Sequence, residues 1–426
     1  MERYSDYKDS GVKWLGEIPR HWEMKRWRFL MVENTKKNSD RRVRLQLQFR
    51  YGDIVRKANQ SEESDVLDTI SKYTVVEPND IMINGLNLNY DFVSQRVAQV
   101  NEDGAITSAY ISLRPTNIAC PKYYTYFLKS MDSKKMFHGM GTGIRLTLSY
   151  NELKNQFIPR PSIEEQEAIA NYLDAATSNI DKAIGQQQKM IDLLNERKQI
   201  IINNAVTKGL DPNVPMKDSG VEWIGEIPEH WDICALKKKA KIILGKMLSN
   251  NPTNKYKYIC AKDVHYGIID TSDLKEMSFT QEERNLYEVK KGDMLIVEGG
   301  AGAGGCAIFK EDKRNIYIQN SIMIIRGTNN LLNNYICLFM QSINQKGYIE
   351  FICNKATIPH FTKEKVGAVT IPLPPLKEQK KIVEYINDGI APIEDVIQNC
   401  HQQIYLLQER KQIIINNVVT GKVKVI

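Results

Sequence analysis

The chain has 426 residues, 42% hydrophobic and 26% charged, a globular balance with length for two to four domains. No apolar run approaches eighteen residues and the opening Met1-Glu2-Arg3-Tyr4-Ser5-Asp6 lacks a signal-type core, so the expectation is a cytoplasmic protein without a membrane span. Seven scattered cysteines without a C-x-x-C pair argue against a disulfide framework or a Cys-pair zinc site, and a net charge of +7 weakly favours a polyanionic partner.

The first element, DSGVKWLGEIPRHW at 9–22, returns as DSGVEWIGEIPEHW at 218–231. Its tryptophans, Trp14/Trp22 and Trp223/Trp231, offer either base stacking or, the preferred reading, a wedge against the domain's own core. Next, RRVRLQLQFRYGDIVRK (41–57) holds six basic residues and one acid. Read as one strand, it sends Val43, Leu45, Leu47, Phe49 and Tyr51 to the core and Arg42, Arg44, Gln46, Gln48 and Arg50 to the other face. Arg and Gln suit guanine and adenine edges, so that face, with Lys57, is either a DNA-reading surface or a solvated sheet face. The runs Tyr73–Val76 and Ile81–Ile83 read as strands, and 122–136 has helical spacing. Gly139, Gly141, Gly143 and Arg145 then form a loop able to approach phosphates.

From 163 to 206 the apolar positions Ile169, Leu173, Ile180, Ile184, Ile191, Leu194 and Ile201 follow helical spacing. Ser162-Ile163-Glu164-Glu165 is a capping box at its start. The second copy follows at an offset of 213: IPRPSIEEQEAI (158–169) lies over IPLPPLKEQKKI (371–382), and ERKQIIINN occupies both 196–204 and 409–417. Fainter echoes place Asp80 on Asp293 and LRPTN (113–117) on IRGTN (325–329). The duplicated stripe comprises Ile382, Ile386, Ile393, Ile397, Ile404, Leu407 and Ile414. Pro392 stands where the first copy has Asn179, and Gly389 where it has Ala176, which predicts a turn near 390–392 and, by symmetry, near 177–179. The remaining long piece, 180–206, spans about 40 Å. Two matching stripes predict an antiparallel helix pair through Ile180, Ile184, Ile191, Leu194 and Ile201 against Ile393, Ile397, Ile404, Leu407 and Ile414.

In the second copy Met294–Val297 and Ile322–Ile325 read as strands and 331–346 as a helix, giving an α+β class. Asn254, Lys255, Lys257 and Lys262 cluster near Tyr256 and Tyr258, either as a phosphate-contacting loop or as exposed charge. The stretch matching the Gly139–Arg145 loop, around Thr357 and His360, is less basic. Catalytic patterns are nearly empty. Gly299–Gly305 ends in Cys306 where a phosphate loop needs Lys, so a positive-φ turn or a close backbone approach is preferred. Asp273 with Glu288-Val289-Lys290 imitates a nuclease site, but Glu-x-Lys recurs at 23–25 and 152–154. Asn250-Asn251-Pro252-Thr253 lacks the second proline and aromatic of an amino-methyltransferase motif, and the six histidines show no metal spacing.

DSGVEWIGEIPEHW, IPLPPLKEQKKI and LLNERKQIIINN, with their second copies, resemble the specificity subunit of Type I restriction-modification systems over essentially the whole chain. The resemblance implies target-recognition domains at 1–157 and 210–370, and helical spacers at 158–209 and 371–426 that form an antiparallel coiled coil in a pseudo-two-fold repeat. It implies reading of a split double-stranded DNA site in the major groove, the spacer matching one duplex turn of about 34–36 Å. It also implies modification (methyltransferase) and restriction subunits as partners that carry S-adenosylmethionine and ATP, with no cofactor, metal or catalysis in this chain. The alternatives are a coiled-coil adaptor without sequence-specific DNA binding and a DNA-modifying enzyme with an unrecognised site.

Overall fold

The structure, a computed structural model, describes all residues except 1, 59–63, 91–94, 249–253, 301, 354–359 and 426, and leaves aside the side chains of 64–67. It divides into two compact units: Met1–Gln188 with His401–Ile426, and Lys189–Cys400. Both boundaries fall inside the two long helices, Ile163–Lys208 and Leu376–Val419, so each unit owns a piece of both.

In unit 1 the central antiparallel sheet runs, edge to edge, Met31–Glu33, Ile111–Pro115, Ile81–Ile83, Val97–Gln99. Ile81, Met82 and Ile83 are all buried, which is why the strand reads as an unbroken apolar run rather than an alternation. Helix Pro121–Ser133 starts on proline, whose missing N–H is an orphan donor at that position anyway. It buries Tyr123, Tyr124, Phe127, Leu128 and Met131 in the core beneath the sheet. Unit 2 repeats the order with Ala240–Leu244, Ile322–Gly327, Met294–Val297 and Cys306–Ile308, and places helix Asn333–Gln345 in the corresponding core. The strands and helices expected at these positions are therefore present.

Three sets of hydrogen bonds build the same frame in each unit. First, the Glu-Gln pair at the start of each long helix acts with both side chains. Glu165 accepts from Tyr4 Oη (2.6 Å) and pairs with His21 Nε2 (3.0 Å), and Glu378 pairs with His230 Nε2 (2.9 Å). The fully buried Gln166 donates to the carbonyls of Ile118 and Pro161 and accepts from Cys120 N, while Gln379 donates to Asn330 and Pro374 and accepts from Leu332 N. Ser162 Oγ accepts from Glu165 N as a cap requires, but the Glu165 carboxylate serves Tyr4 and His21.

Second, a buried aspartate grips an arginine on the adjacent strand. Arg114 donates Nε and Nη2 to Asp80 (2.9 and 2.8 Å), and Arg326 does the same to Asp293 (2.8 and 2.7 Å). Each carboxylate also caps its own turn, accepting from Glu77 N and Lys290 N respectively. These bidentate bonds hold both guanidiniums above their ordinary pKa.

Third, the long helices end in the other half's domain. In unit 1, Tyr123 Oη donates to Val419 O (3.0 Å) and Ser130 Oγ to Asn416. In unit 2, Tyr335 Oη donates to Val206 O (3.1 Å) and Ser342 Oγ to Asn203 (3.0 Å). The identical ERKQIIINN segments thus perform one task in two units. Each helix stops at a positive-φ glycine pressed on a tryptophan, Gly421 on Pro19 and Trp22, Gly209 on Pro228 and Trp231.

Two expectations are corrected. Helix Ile163–Lys208 has no turn at 177–179, and Leu376–Val419 continues through Pro392. Pro392 and Asp388, whose carbonyl the ring leaves without its helical donor, are both exposed residues. Ile390 and Ile393 are buried on the packed face and hold the helix together across the missing bond.

Candidate nucleic-acid interface

The Arg-rich segment is not one strand. It forms a hairpin, Leu47–Arg50 with Asp53–Arg56, turning at Tyr51-Gly52, both at positive φ. The turn carries Tyr51 out to 76% exposure, so it leaves the core face it was assigned. Residues 41–45 lie outside any strand, with Val43 and Leu45 half-buried. Arg42, Arg44, Arg50 and Lys57 are exposed and Gln48 is half-buried. Gln46 is buried, its amide donating to Tyr73 Oη (3.2 Å), so it is withdrawn from any base-reading face. Arg42 pairs with Asp40 (3.2 Å), and Arg50 lies over the Tyr51 ring at 5.5 Å. Arg56, which the sequence reading passed over, is bidentate to Glu102, whose hydrogen bonds raise its pKa.

In unit 2 the strand Lys255–Ile259 sits between Lys275–Ser278 (antiparallel) and Ile316–Ile318 (parallel). Alternation exposes Lys255 and Lys257, and sends Tyr256 and Tyr258 into a cluster with Met277, Phe279 and Tyr317. The parallel pairing brings Lys313 and Arg314 beside them, and together they line a recess of about 380 Å³. Asn254, at φ 63°, is the exposed corner that starts the strand. Lys262 faces Asp263 and Asp273, both at 3.6 Å. Its burial works against the charge, but the two carboxylates hold its pKa above the ordinary value. That pairing takes it away from an open cationic surface.

Arg145 is exposed at the tip of a tight loop closed by Thr142 and Thr147. His360 is exposed and bridges Gly299, while its carbonyl accepts from Lys365 Nζ. Thr357 and the Asn250–Thr253 motif lie outside the described residues. Gly300 and Gly304 have positive φ, and a Cβ on Gly304 would stand 2.2 Å from Ile349, so Gly304 serves a close backbone approach to the helix Tyr348–Ile352. Trp22 and Trp231 are fully buried and leave no ring face open. The seven cysteines are free thiols, and no group of acids, histidines or cysteines fit to hold a metal occurs among the described residues. No helix among them is long and apolar enough to cross a membrane.

On the long helices Ile180, Ile191 and Ile393 are buried, and Ile184, Leu194, Ile201, Ile397, Ile404, Leu407 and Ile414 are half-buried. Within unit 1 Asp181 pairs with Lys411 (2.7 Å), and within unit 2 Lys198 pairs with Glu394, as antiparallel neighbours do. Sequence reasoning missed a second, outward stripe: Leu193 and Ile200 on the first helix, Leu406 and Ile413 on the second, all more than half exposed. The signal was present, since both pairs are seven residues apart and related by the offset of 213.

The sequence profile of the Type I restriction modification DNA specificity domain matches residues 59–190 and 228–404. A Methanocaldococcus jannaschii protein assigned as the MjaX specificity subunit of a type I restriction enzyme is 26% identical, covering 98% of both chains. The MjaVIII specificity subunit of the same organism is 27% identical over 83% of this chain and 81% of its own. The EcoKI specificity subunit of Escherichia coli K12 is 20% identical over 73% and 67%. Among solved structures, a chain from a study of complex assembly and conformational transition of the type I R-M system superposes with a TM-score of 0.69 at 15% identity, over 95% of this chain and 99% of that one. With the profile matching well over half of its length, this chain belongs to the family of Type I restriction modification DNA specificity domains.

Proposed function

We propose that the chain is the non-catalytic reader of a bipartite double-stranded DNA site and the scaffold of a Type I restriction-modification complex. The observation that carries this reading is one frame built twice. The same Glu–His, Gln–backbone and Asp–Arg bonds recur in both units, around outer elements that differ. Two like scaffolds with unlike edges suit two half-sites of different sequence. On this reading 1–157 and 210–370 are the recognition domains, and 158–209 and 371–426 form the spacer. The spacer helices pair as an antiparallel coiled coil that relates the domains by a pseudo-two-fold axis.

Arg42, Arg44, Arg50 and Lys57 in unit 1, with Lys255 and Lys257 in unit 2, have the exposure that groove and phosphate contacts need, and the half-buried Gln48 lies among the first set. The outward stripe Leu193/Ile200, repeated as Leu406/Ile413, gives two equivalent apolar docking faces for two modification subunits. Those partners bring S-adenosylmethionine, and restriction subunits bring ATP; this chain contributes neither cofactor. The test is a methylome: co-expression with the cognate modification subunit, followed by single-molecule mapping of modified adenines. A split motif with an unspecified spacer is the expected outcome. A stable complex that modifies no motif, and binds no duplex above random competitor, would overturn the reading in favour of an adaptor.

A further inference from the structure

Among the described residues of unit 1, the most exposed large hydrophobic side chain is Ile144, 99% open to solvent. It stands at the tip of a short hairpin whose backbone is fixed by Thr142 N to Thr147 O (3.0 Å), Thr147 N to Thr142 O (2.9 Å) and Leu146 N to Gly143 O (3.1 Å). Gly143, at φ 75°, makes the turn. The hairpin is bolted to a second loop, 84–90, by Leu148 N to Gly85 O (2.9 Å) and Leu88 N to Leu146 O (3.1 Å). Gly85 permits this approach, because a Cβ there would meet Leu148 O at 2.4 Å.

The second loop is held just as firmly. The buried Arg96 donates to the carbonyls of Asn84 (2.9 Å), Leu86 (2.6 Å) and Asn87 (3.1 Å). Its outward side chains are Asn87, Asn89 and Tyr90, the last 70% exposed. From Ser133 to Asn151 the sequence carries Lys134, Lys135 and Arg145 and no Asp or Glu, and 84–90 carries no charge at all.

A rigid, acid-free projection that offers a bare aliphatic tip, an arginine, two amides and a tyrosine has the chemistry of a duplex groove. The aliphatic group meets base faces or thymine methyls, the amides meet adenine edges, and the guanidinium meets phosphate. We infer that the Ile144-Arg145 tip, set on the Asn87–Tyr90 loop, is a further element of unit 1 that enters the DNA and contacts its half-site beside the Arg-rich segment. This deepens the proposed reading and rests on it. Rigidity is the reason a loop can do this, since neither segment must be ordered on binding.

The test uses the full chain assembled with its modification subunits and a short duplex carrying the mapped motif, against a duplex scrambled in one half-site. Ile144→Ala is expected to weaken cognate binding about tenfold, or about 1.4 kcal/mol, with binding to the scrambled duplex unchanged. Arg145→Ala is expected to weaken both duplexes and to lower the slope of affinity against salt by about 0.9, one phosphate contact. Ile144 touches nothing that the fold needs, so an unchanged melting temperature will separate weakened recognition from a damaged fold. If the unaltered complex prefers its motif and Ile144→Ala binds as tightly, the inference falls and the proposed function stands. If the unaltered complex shows no preference, both fall.

Discussion

Unit 1 and unit 2 share a sheet order and a set of buried hydrogen bonds, yet they dress that sheet differently. Unit 1 adds the Leu47–Arg50/Asp53–Arg56 hairpin and the short pair Thr74–Val76/Gly104–Ile106. Unit 2 extends into a three-stranded sheet the parallel pairing that unit 1 holds as the isolated bridge Gln46 to Ala105, and adds the capped helix Gln281–Tyr287. The bonds that repeat tie side chains to backbone groups, to buried charges or to one another inside the frame, where an unmet partner is costly. The elements that do not repeat lie where arginine, lysine and tyrosine reach solvent. The comparison separates residues that make a unit from residues that choose what it reads.

Substitutions can break or sharpen that division. Gln166→Ala and Gln379→Ala each lose one buried and two partly buried hydrogen bonds to backbone groups, and each should cost about 3 kcal/mol. Chemical unfolding of each variant would measure this, and markedly unequal values would break the equivalence of the frames. Asp293→Ala should cost about 3 kcal/mol by leaving Arg326 unpaired, with its side chain 25% exposed. Asp80→Ala should cost less, about 2 kcal/mol, because the Arg114 side chain is 41% exposed and water compensates more of its charge. An inverted order would show that the two pairs do not differ by solvation.

At the edge, stability should stay level while affinity moves. Arg44→Ala with Arg50→Ala should weaken DNA binding about tenfold at physiological salt, and lower the salt slope by about 0.9 for each phosphate no longer neutralised. Unchanged affinity would remove the hairpin from the interface. The smallest effect belongs to the helix ion pairs: Lys198→Ala and Lys411→Ala should each change stability by under about 1 kcal/mol, since their acidic partners are mostly exposed.

Much of this was legible in the sequence. The duplication gave the architecture, and the apolar runs at 81–83, 294–297 and 322–325 gave the central strands. Even the faint echo of Asp80 on Asp293 marked a true pair, although its arginine could be named only once two strands were adjacent. In the Arg-rich hairpin period-two alternation continues through the turn, and only Tyr51-Gly52 marks it in the sequence. At Pro392 a local cost of about 3 kcal/mol is outweighed by packing on both sides, so a proline there does not end the helix. Arg96 was invisible, since its three carbonyls come from a loop whose path no periodicity describes.

The crossing of helix ends sets an order of events during synthesis. Lys189–Cys400 is a single stretch of chain, so unit 2 has all its parts once Cys400 has left the ribosome. Unit 1 is made first but finished last: Tyr123, Ser130 and Trp22 wait for Asn416, Val419 and Gly421. A chain cut back to end at Cys400 would therefore display a protease-resistant second half and a fragile first one.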